Sequence, residues 1–203
     1  MRRGLLIVVS GPAGSGKGTV NSQLVATGDF VFSVSATTRA PRPGEVNGIN
    51  YHFIDREEFQ RRIDENGFLE YTTYCDNFYG TPLKEAMAVL ESGKNLILEI
   101  ECDGAKNVKR IFPDAVLIML IPPTYAIQEE RLRGRGTETE EVIRKRLEKA
   151  KREIEQIDAY DYIVYNYNGG AAVAVDDIKA IVRAEKLAQH RQPDAVKKYF
   201  ELD

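Results

Sequence analysis

Apolar residues in this chain occur in short continuous runs that are separated by longer, charge-rich stretches. The clearest runs are residues 5–9, 95–101 and 115–121, and a fourth follows at 162–165. A short continuous apolar run is typical of a strand that is buried on both faces of a parallel sheet. Because the intervening stretches can form helices, the pattern predicts an α/β fold in which helices wrap a parallel sheet.

This alternation breaks down between residues 34 and 94, where loops and short aromatic strands replace it. We expect this stretch to form a separate mixed α/β lobe that binds a substrate. Residues 124–152 are helix-forming and highly charged, and we expect them to form a lid. The remaining segments, residues 1–33, 95–123 and 153–203, would form the core of a single domain.

Capping signals predict where three of the helices begin. Asp55, with a glutamate three residues later, predicts the start of a helix in the substrate lobe. Thr81, which precedes Pro82, is expected to be the N-cap of the next helix. Thr137, with Glu140 three residues later, predicts a long charged helix that extends to about residue 157.

The segment directly after the first apolar run reads GPAGSGKGT. It fits the first seven positions of the phosphate-binding pattern G-x-x-x-x-G-K-[ST]. Glycines allow backbone N–H groups to turn toward a phosphate, and the following helix adds its own unsatisfied N–H groups. The segment therefore predicts a P-loop, and its expected nucleotide-binding residues are Gly11, Pro12, Ala13, Gly14, Ser15, Gly16, Lys17, Gly18 and Thr19.

Lys17 is expected to supply a mobile cation for the β- and γ-phosphates. Gly18 stands where the pattern requires Ser or Thr, and Thr19 follows one position later. Which hydroxyl, if any, contacts the metal ion therefore stays open. The alternative is a glycine-rich strand–turn–helix without a ligand, but strand, spacing, lysine and helix coincide here.

Composition excludes several classes of function. The chain has 203 residues and a net charge of −3, so it offers no whole-chain basic surface for nucleic acid. No apolar stretch approaches the roughly 18 residues of a membrane span. Cys75 and Cys102 are the only cysteines, and they lack metal or redox spacing. We therefore expect a cytoplasmic protein without nucleic-acid or membrane partners.

Charged residues stand at the end of one predicted strand and within the predicted lid. Glu99 and Glu101 end the run NLILEIE, where P-loop proteins often place a carboxylate that faces the metal, although an ordinary charged strand exit fits equally well. Arg131, Arg135 and Arg146 lie in the predicted lid. Such arginines usually belong to a solvated helical hairpin, but the Gly-Arg-Gly hinge in a P-loop protein favours a phosphate-binding lid.

Together these segments resemble the guanylate kinase family, P-loop enzymes that transfer a phosphoryl group from ATP to GMP. The resemblance covers nearly the whole chain and rests on GPAGSGKGTV, FSVSATTRAPRPGEVNGINYHF, GFLEY, FYGTP, GRGTETEE and IRKRL. The second segment is far more specific than a P-loop alone. The resemblance implies a P-loop NTPase fold, Mg²⁺ as the cofactor, and ATP and GMP as small-molecule partners. It leaves the oligomeric state open.

The resemblance assigns residues to each substrate. Those that would hold the GMP phosphate are Arg39, Arg42, Tyr51 and Tyr79. Those that would recognise guanine are Ser35, Glu70 and Thr81, with Glu45 supporting the pocket. Those that would meet the ATP phosphates and the adenine are Arg131, Arg135, Arg146 and Asn166. The catalytic set implied is Lys17, Arg39, Arg131, Arg135 and Arg146.

The chemistry of guanine agrees with these roles. Guanine presents N1–H and N2–H₂ as adjacent donors, and a carboxylate such as Glu70 offers two matching acceptors. Adenine lacks both donors there, so it would leave the carboxylate buried and unpaired. The fork of an arginine such as Arg42 meets two phosphate oxygens at once.

The chain departs from the family pattern at several positions. The family usually has Asp where this chain has Glu101, Gln at Asp103, Ser at Ala13, and acidic residues at Tyr167 and Asn168. We expect Glu101 to keep the role of the usual aspartate, near GMP and, through water, near Mg²⁺. Glu99 could help in this role or take it over.

Two other functions remain possible on the sequence. A related P-loop kinase could act on another phosphorylated substrate, such as a ribose bisphosphate, but Glu70 with Ser35 and Thr81 favours guanine. A catalytically inactive binding module is the second alternative. Such modules typically lose the P-loop lysine and the lid arginines, whereas this chain keeps Lys17, Arg131 and Arg135.

Overall fold

The computed structural model describes residues 3–134, 136 and 138–201. None of the helices in these ranges is both long enough and apolar enough to cross a bilayer. In chain order the strands and α-helices are β1 (Leu6–Ser10), α1 (Lys17–Ala26), β2 (Phe30–Phe32), β3 (Ala36–Thr37), β4 (His52–Phe53), α2 (Arg56–Asp64), β5 (Phe68–Tyr74), β6 (Asn77–Pro82), α3 (Leu83–Glu91), β7 (Asn95–Leu98), α4 (Cys102–Ile111), β8 (Val116–Ile121), α5 (Tyr125–Arg133), α6 (Glu140–Ile154), β9 (Tyr162–Tyr165), α7 (Ala171–Leu187) and α8 (Ala195–Phe200).

A five-stranded sheet in the order β2-β7-β1-β8-β9 forms the centre of the molecule. All its strand pairs are parallel, and Val8 of β1 lies opposite both Leu98 of β7 and Leu117 of β8. Every residue of β1 is buried. The predicted α/β class, a parallel sheet wrapped by helices, is therefore confirmed.

Alternate positions of β1 supply the two halves of the hydrophobic core. Ile7 belongs to the cluster that includes Leu24 of α1 and Ile178 of α7. Val8 belongs to the opposite cluster, with Val108 of α4. Because successive side chains of a strand point to opposite faces, this single strand packs against helices on both sides of the sheet.

The strand order places the ends of several strands at one edge. From β1 the chain runs outward to β2, returns to β7 beside β1, and then crosses to β8 on the other side. Ligands of open α/β sheets bind at the carboxyl ends of the strands, where the order reverses. The P-loop follows β1 at this edge, Glu99 follows β7, and Asn166 follows β9.

The predicted strand 95–101 is too long at its carboxyl end. β7 stops at Leu98, and Glu101 occupies the N-cap position of α4 in an extended conformation. The prediction failed because an acidic residue after an apolar run fits a helix start as well as a strand exit. Glu99 and Glu101 therefore do not share a strand face.

A second sheet of four short strands, in the order β4-β3-β6-β5, lies within residues 34–94. β5 and β6 form its antiparallel hairpin. The fully buried ring of Phe59 in α2 stacks on Phe68 with 4.4 Å between ring centroids, and Phe78 lies 5.3 Å away. This aromatic cluster fixes α2 on the sheet.

Two of the capping predictions have opposite outcomes. Asp55 is the N-cap of α2, and its side chain accepts a 2.7 Å hydrogen bond from the backbone N–H of Glu58, as predicted. The prediction for Thr81 is wrong. Thr81 lies in β6, Pro82 is the N-cap residue of α3, and the Thr81 hydroxyl instead donates to Glu70 across the hairpin.

The start of the charged helix also differs from the prediction. Thr137 lies outside the described residues. The N-cap of α6 is Thr139, whose side chain accepts from the backbone N–H of Val142 at 3.5 Å. Glu140 is consequently the first residue of the helix, and α6 ends at Ile154.

Candidate active site

A cavity of about 570 Å³ is bordered by the P-loop, the second sheet, the turn between β7 and α4, and one face of α6. It brings together segments that are far apart in the sequence. The predicted site residues that line it are Gly11, Ala13, Lys17, Ser35, Tyr51, Glu70, Tyr79, Glu99, Glu101 and Arg146.

The P-loop packs closely against Asn166, which directly follows β9. Gly16 precedes α1 in a left-handed conformation, with φ of 85°, which favours glycine. A Cβ at this position would lie 2.3 Å from Nδ2 of Asn166. That Nδ2 donates a 2.8 Å hydrogen bond to the carbonyl oxygen of Ser15. Asn166, predicted to lie near adenine, thus also supports the loop.

Lys17 points back into the loop. Its Nζ donates to the carbonyl oxygen of Gly11 and, at 3.4 Å, to that of Pro12. Burial lowers the pKa of Lys17, and the nearby carboxylate of Glu99 opposes this effect. An entering phosphate would give this partly desolvated ammonium an anionic partner. Gly18 and Thr19 follow on the exposed first turn of α1.

Asn21, which contacts the cavity residue Glu99, is a neighbour of the candidate site that sequence reasoning missed. It is 2% exposed, and its Nδ2 donates a 2.8 Å hydrogen bond to Oε2 of Glu99. Its Oδ1 has no hydrogen-bond partner among the described residues. Since Asn21 follows Lys17 by one helical turn, the spacing from the P-loop lysine could have indicated it.

Glu45 links the two arginines that are predicted to hold a substrate phosphate. Nη2 of Arg39 lies 2.8 and 2.9 Å from the two carboxylate oxygens of Glu45, and the backbone N–H of Arg42 donates to Oε2 at 2.7 Å. The guanidinium of Arg39 lies over the ring of Tyr51, which meets the ring of Tyr79 edge to face. The Arg39 hydrogen bond lowers the pKa of Glu45.

Glu70, on β5 of the same lobe, is a buried carboxylate. Only 4% of the residue is exposed, and burial raises its pKa. Its Oε1 accepts a 2.8 Å hydrogen bond from Thr81, whereas Oε2 has no partner in the part of the chain that the structure describes. Ser35 lines the same cavity.

Arg131 connects the predicted lid to the P-loop and to the loop after β9. Nη1 donates to the carbonyl oxygen of Gly14 at 3.2 Å, and Nη2 donates to that of Asn166 at 2.7 Å. Nε and Nη2 both donate to Oδ1 of Asn168, at 3.1 and 2.9 Å. Arg131 therefore holds three loop acceptors in a fixed arrangement.

The other lid residues differ in what surrounds them. Gln128, one turn before Arg131 on α5, donates from Nε2 to the carbonyl oxygen of Ala13 at 2.8 Å. Arg146 lines the cavity and pairs with Glu138 at 2.7 Å. Arg135 lies outside the described residues.

Lys149 and Glu153 are further cavity residues that sequence reasoning missed. Together with Arg146 they form one face of α6, because residues three and four apart lie side by side on a helix. Lys149 lies 2.7 Å from Glu101 and 3.6 Å from Glu153. Burial raises the pKa of Glu153. The spacing from Arg146 was the available signal.

The arrangement fits phosphoryl transfer between two bound phosphate compounds. The P-loop and Lys17 form a cradle for one, and the second lobe contributes the Tyr51 and Tyr79 rings to the cavity for the other, with the Arg39 guanidinium over the Tyr51 ring. Phosphoryl transfer needs little covalent chemistry from the protein, since positioning and positive charge carry most of the catalysis. Cations from separate elements surround one cleft here.

Comparison with known proteins gives a consistent result. The guanylate kinase family model matches residues 3–185. The guanylate kinase of Halalkalibacterium halodurans is 51% identical, and the match covers 98% of this chain and 96% of the relative. That of Bacillus subtilis is 47% identical over 99% of this chain and 98% of the relative. The crystal structure of guanylate kinase from Anaplasma phagocytophilum superimposes with a TM-score of 0.76 at 31% identity, covering 100% of this chain and 98% of that chain.

Proposed function

Because the chain belongs to the guanylate kinase family, we propose that its cleft binds GMP on the second sheet and ATP on the P-loop, with the two phosphate groups facing each other. The enzyme transfers a phosphoryl group from ATP to GMP, which gives ADP and GDP. The observation that carries the base assignment is the buried Glu70 carboxylate, whose Oε2 has no partner among the described residues, in the cavity that Lys17 also lines.

On the acceptor side, Glu70 would accept from guanine N1–H and N2–H₂, while Ser35 and Thr81 would complete the base pocket. Thr81 already orients the carboxylate through its 2.8 Å hydrogen bond. The residues that would hold the GMP phosphate are Arg39, Arg42, Tyr51 and Tyr79. Glu45 supports this proposal because it fixes the Arg39 guanidinium beside the Tyr51 ring.

On the donor side, the backbone of residues 11–19 would enclose the ATP phosphates, with Lys17 on the β- and γ-phosphates. Arg131, Arg135 and Arg146 would add positive charge to the transferred group, and Asn166 would lie near the adenine. The hydrogen bonds of Arg131 to the P-loop and to the loop after β9 support its place at this side.

We also propose a division of the chain that follows these roles. The core would comprise residues 1–33, 95–123 and 153–203, the GMP-binding lobe residues 34–94, and the lid residues 124–152. The second sheet lies wholly within the proposed lobe, and α5 and α6 lie within the proposed lid apart from the last residues of α6. Closure of the lid would exclude water that could otherwise hydrolyse ATP.

Mg²⁺ is the expected cofactor and would neutralise the charge of the ATP phosphates. Among the described residues no three His, Cys, Asp or Glu side chains form a metal cluster. This fits an ion that is bound by one or two carboxylates together with substrate phosphates and water. Glu99, which Asn21 orients, and Glu101 are the carboxylates in the cavity that could meet the ion's water ligands.

A coupled assay for ADP formation tests this function with GMP, AMP, UMP, a ribose bisphosphate and no acceptor. GMP should be strongly preferred, because only guanine presents two donors to Glu70. Preference for the ribose bisphosphate would indicate a different kinase, and GMP binding without turnover would indicate an inactive module. We place the enzyme in the cytoplasm, where its two free cysteines would stay reduced.

A further inference from the structure

An ion pair joins α6 to the start of α4 across the cleft. Nζ of Lys149 lies 2.7 Å from Oε1 of Glu101, which is the N-cap residue of α4. The Glu101 side chain does not cap its own helix. The N-cap carboxylate is therefore directed to α6 instead of to the free N–H groups of α4.

This pair differs from the other lysine pairs of the same helix in what it connects. Lys145 pairs with Glu141 at 2.7 Å, but both residues belong to α6 and neither lines the cavity. Lys149 and Glu101 both line the cavity and are separated by 48 residues in the sequence. Lys149 therefore joins two different walls of the cleft.

Stabilisation of the fold does not account for this pair. The side chains of Lys149 and Glu101 are 42% and 57% exposed, and an ion pair with this exposure contributes little to stability. The position of the charge in the cleft is the more important consequence. A substrate phosphate carries a charge of almost −2, so an unneutralised carboxylate beside it would oppose binding.

We propose that Lys149 is a positioning residue that holds and neutralises the Glu101 carboxylate on the α6 side of the cleft, and so lets the GMP dianion bind. The inference rests on the proposed function, in which GMP occupies the cavity between Glu70 and the P-loop. Without Lys149, the Glu101 side chain is free to turn toward the GMP phosphate. Lys149 acts through Glu101 and not through contact with the reacting atoms.

A double-mutant cycle on GMP binding and turnover tests this inference. The variants are Lys149→Met, Glu101→Gln and the two combined, with Lys149→Arg as the conservative replacement. Lys149→Met should raise KM and the calorimetric Kd for GMP roughly 3- to 10-fold, a typical coupling for residues in contact, with a smaller change in kcat. In the Glu101→Gln background the same substitution should have a clearly smaller effect, and what remains would come from Glu153, which lies 3.6 Å from Lys149 and also lines the cavity. Lys149→Arg should stay close to the parent.

Lys145→Met is the matched control, since it removes a lysine from the same helix without touching the cavity. It should leave KM for GMP unchanged. An equal effect of Lys149→Met in both backgrounds would show that Lys149 acts independently of Glu101 and would overturn the inference. An unchanged KM and Kd in Lys149→Met alone would overturn it as well.

A substrate-free measurement separates this inference from the proposed function. In substrate-free crystal structures, the Glu101 carboxylate should face α6 in the parent and in Lys145→Met, and it should turn away from α6 in Lys149→Met. This result would establish the connection between the helices even if the parent protein failed to use GMP. Failure of the parent in the GMP assay would contradict the proposed function, whereas an unchanged position of the Glu101 carboxylate in Lys149→Met would contradict the connection.

Discussion

The hydroxyl of Thr81 donates a 2.8 Å hydrogen bond to Oε1 of Glu70, its cross-strand neighbour on β5. Oε2 of the same buried carboxylate has no partner among the residues that the structure describes. A buried polar atom without a partner costs about 1–3 kcal/mol, so the second oxygen is a strong acceptor for a ligand N–H group. The hairpin thus presents a carboxylate that only a donor-rich base completes.

Replacing the Glu70 carboxylate by an amide should weaken the use of GMP and at the same time stabilise the fold. Glu70→Gln should lower kcat/KM for GMP roughly 10- to 100-fold, because a bidentate contact to a base is worth about 1–3 kcal/mol. The same substitution should raise the Tm of the substrate-free protein, since burial disfavours the ionised carboxylate. The coupled assay and a thermal melt measure the two effects.

Glu57→Gln serves as the control, because Glu57 lies in the exposed first turn of α2 in the same lobe. It should change kcat/KM for GMP by no more than about 2-fold and Tm by no more than about 1 °C, as expected for a surface substitution. Unchanged GMP use in Glu70→Gln, with AMP still rejected, would assign base recognition to other residues.

The raised pKa of Glu70 predicts a pH dependence of base binding. Burial raises this pKa, so on acidification Glu70 takes up a proton at a higher pH than an exposed glutamate does. Protonation removes one acceptor, and affinity for the base should therefore fall as pH decreases. The effect on stability has the opposite sign: the protonated carboxyl favours the folded state, and this contribution is lost as pH rises through the folded-state pKa.

Calorimetric binding experiments with guanosine measure the pH dependence of base binding alone, because guanosine carries no phosphate whose protonation changes with pH. The affinity should decrease on acidification from about pH 7.5 to pH 5 in the parent and stay nearly constant in Glu70→Gln. Glu45 should not contribute, because Arg39 lowers its pKa. A parallel decrease in both proteins would assign the titration to another group.

The sequence predicts features correctly where they depend on residues that are close together in the chain. The P-loop and the Asp55 cap depend on neighbours within a few residues, and the sequence predicts them correctly. Thr81 has a good local signal for an N-cap, but its hydroxyl bonds to Glu70, 11 residues away on the adjacent strand. A tertiary partner overrode the local preference, which capping patterns alone do not include.

The site residues that the sequence did not reveal have distant partners. Asn21 orients Glu99 across 78 residues, and Lys149 meets Glu101 across 48. Helical spacing from a predicted site residue indicates which helix face Asn21 or Lys149 occupies. It does not indicate the partner of that residue, because the partner is brought close only by the order of the strands in the sheet. The resemblance to a family supplied the residues that its motifs contain and left out those that lie between the motifs.

Asn21 should control the response to Mg²⁺ through Glu99. Asn21→Leu removes the 2.8 Å hydrogen bond that fixes the Glu99 carboxylate. The Mg²⁺ concentration for half-maximal activity should rise roughly 10-fold, as is usual when a residue that orients a metal-side group is removed. A Mg²⁺ titration at constant ATP measures it.

Gln23→Leu on the exposed face of the same helix is the control and should behave as the parent. Asn21→Asp provides a second variant of nearly the same size. It removes the amide donor to Glu99 but adds a carboxylate that attracts the cation, so its Mg²⁺ response should shift less than that of Asn21→Leu. An unchanged Mg²⁺ response in both folded Asn21 variants would remove Asn21 from the site.

Lys17 should be needed for turnover and not for folding. Its ammonium is held by the carbonyl oxygens of Gly11 and Pro12, and burial lowers its pKa. Lys17→Met fills the same space without a buried charge, so circular dichroism and Tm should be close to those of the parent. The loss of a cation at the transferred phosphate should lower kcat roughly 100- to 1000-fold. Near-normal kcat in a folded variant would contradict the P-loop assignment.

Arg131 should align the donor site through the loops that it connects. Its guanidinium donates to Gly14, Asn166 and Asn168, an arrangement that the single ammonium of a lysine cannot reproduce. Arg131→Lys should therefore lower Tm and reduce kcat/KM for ATP by up to roughly 100-fold, the effect of misplacing a reacting group by about 1 Å.

Asn168→Ala distinguishes alignment from simple phosphate contact. It removes one acceptor of Arg131 and keeps the arginine charge, so alignment predicts a smaller loss of kcat/KM for ATP in the same direction. A guanidinium that serves only as a phosphate ligand would instead be released by this substitution, and kcat/KM would stay constant or rise. Arg133→Lys replaces an exposed arginine of the same helix that pairs with Glu129 and with Glu140 and, among the described residues, has no side-chain hydrogen bond to the P-loop or to the loop after β9. It is the control and should remain within about 2-fold of the parent. If Arg131→Lys keeps both the parent Tm and the parent kcat/KM for ATP, Arg131 has neither role.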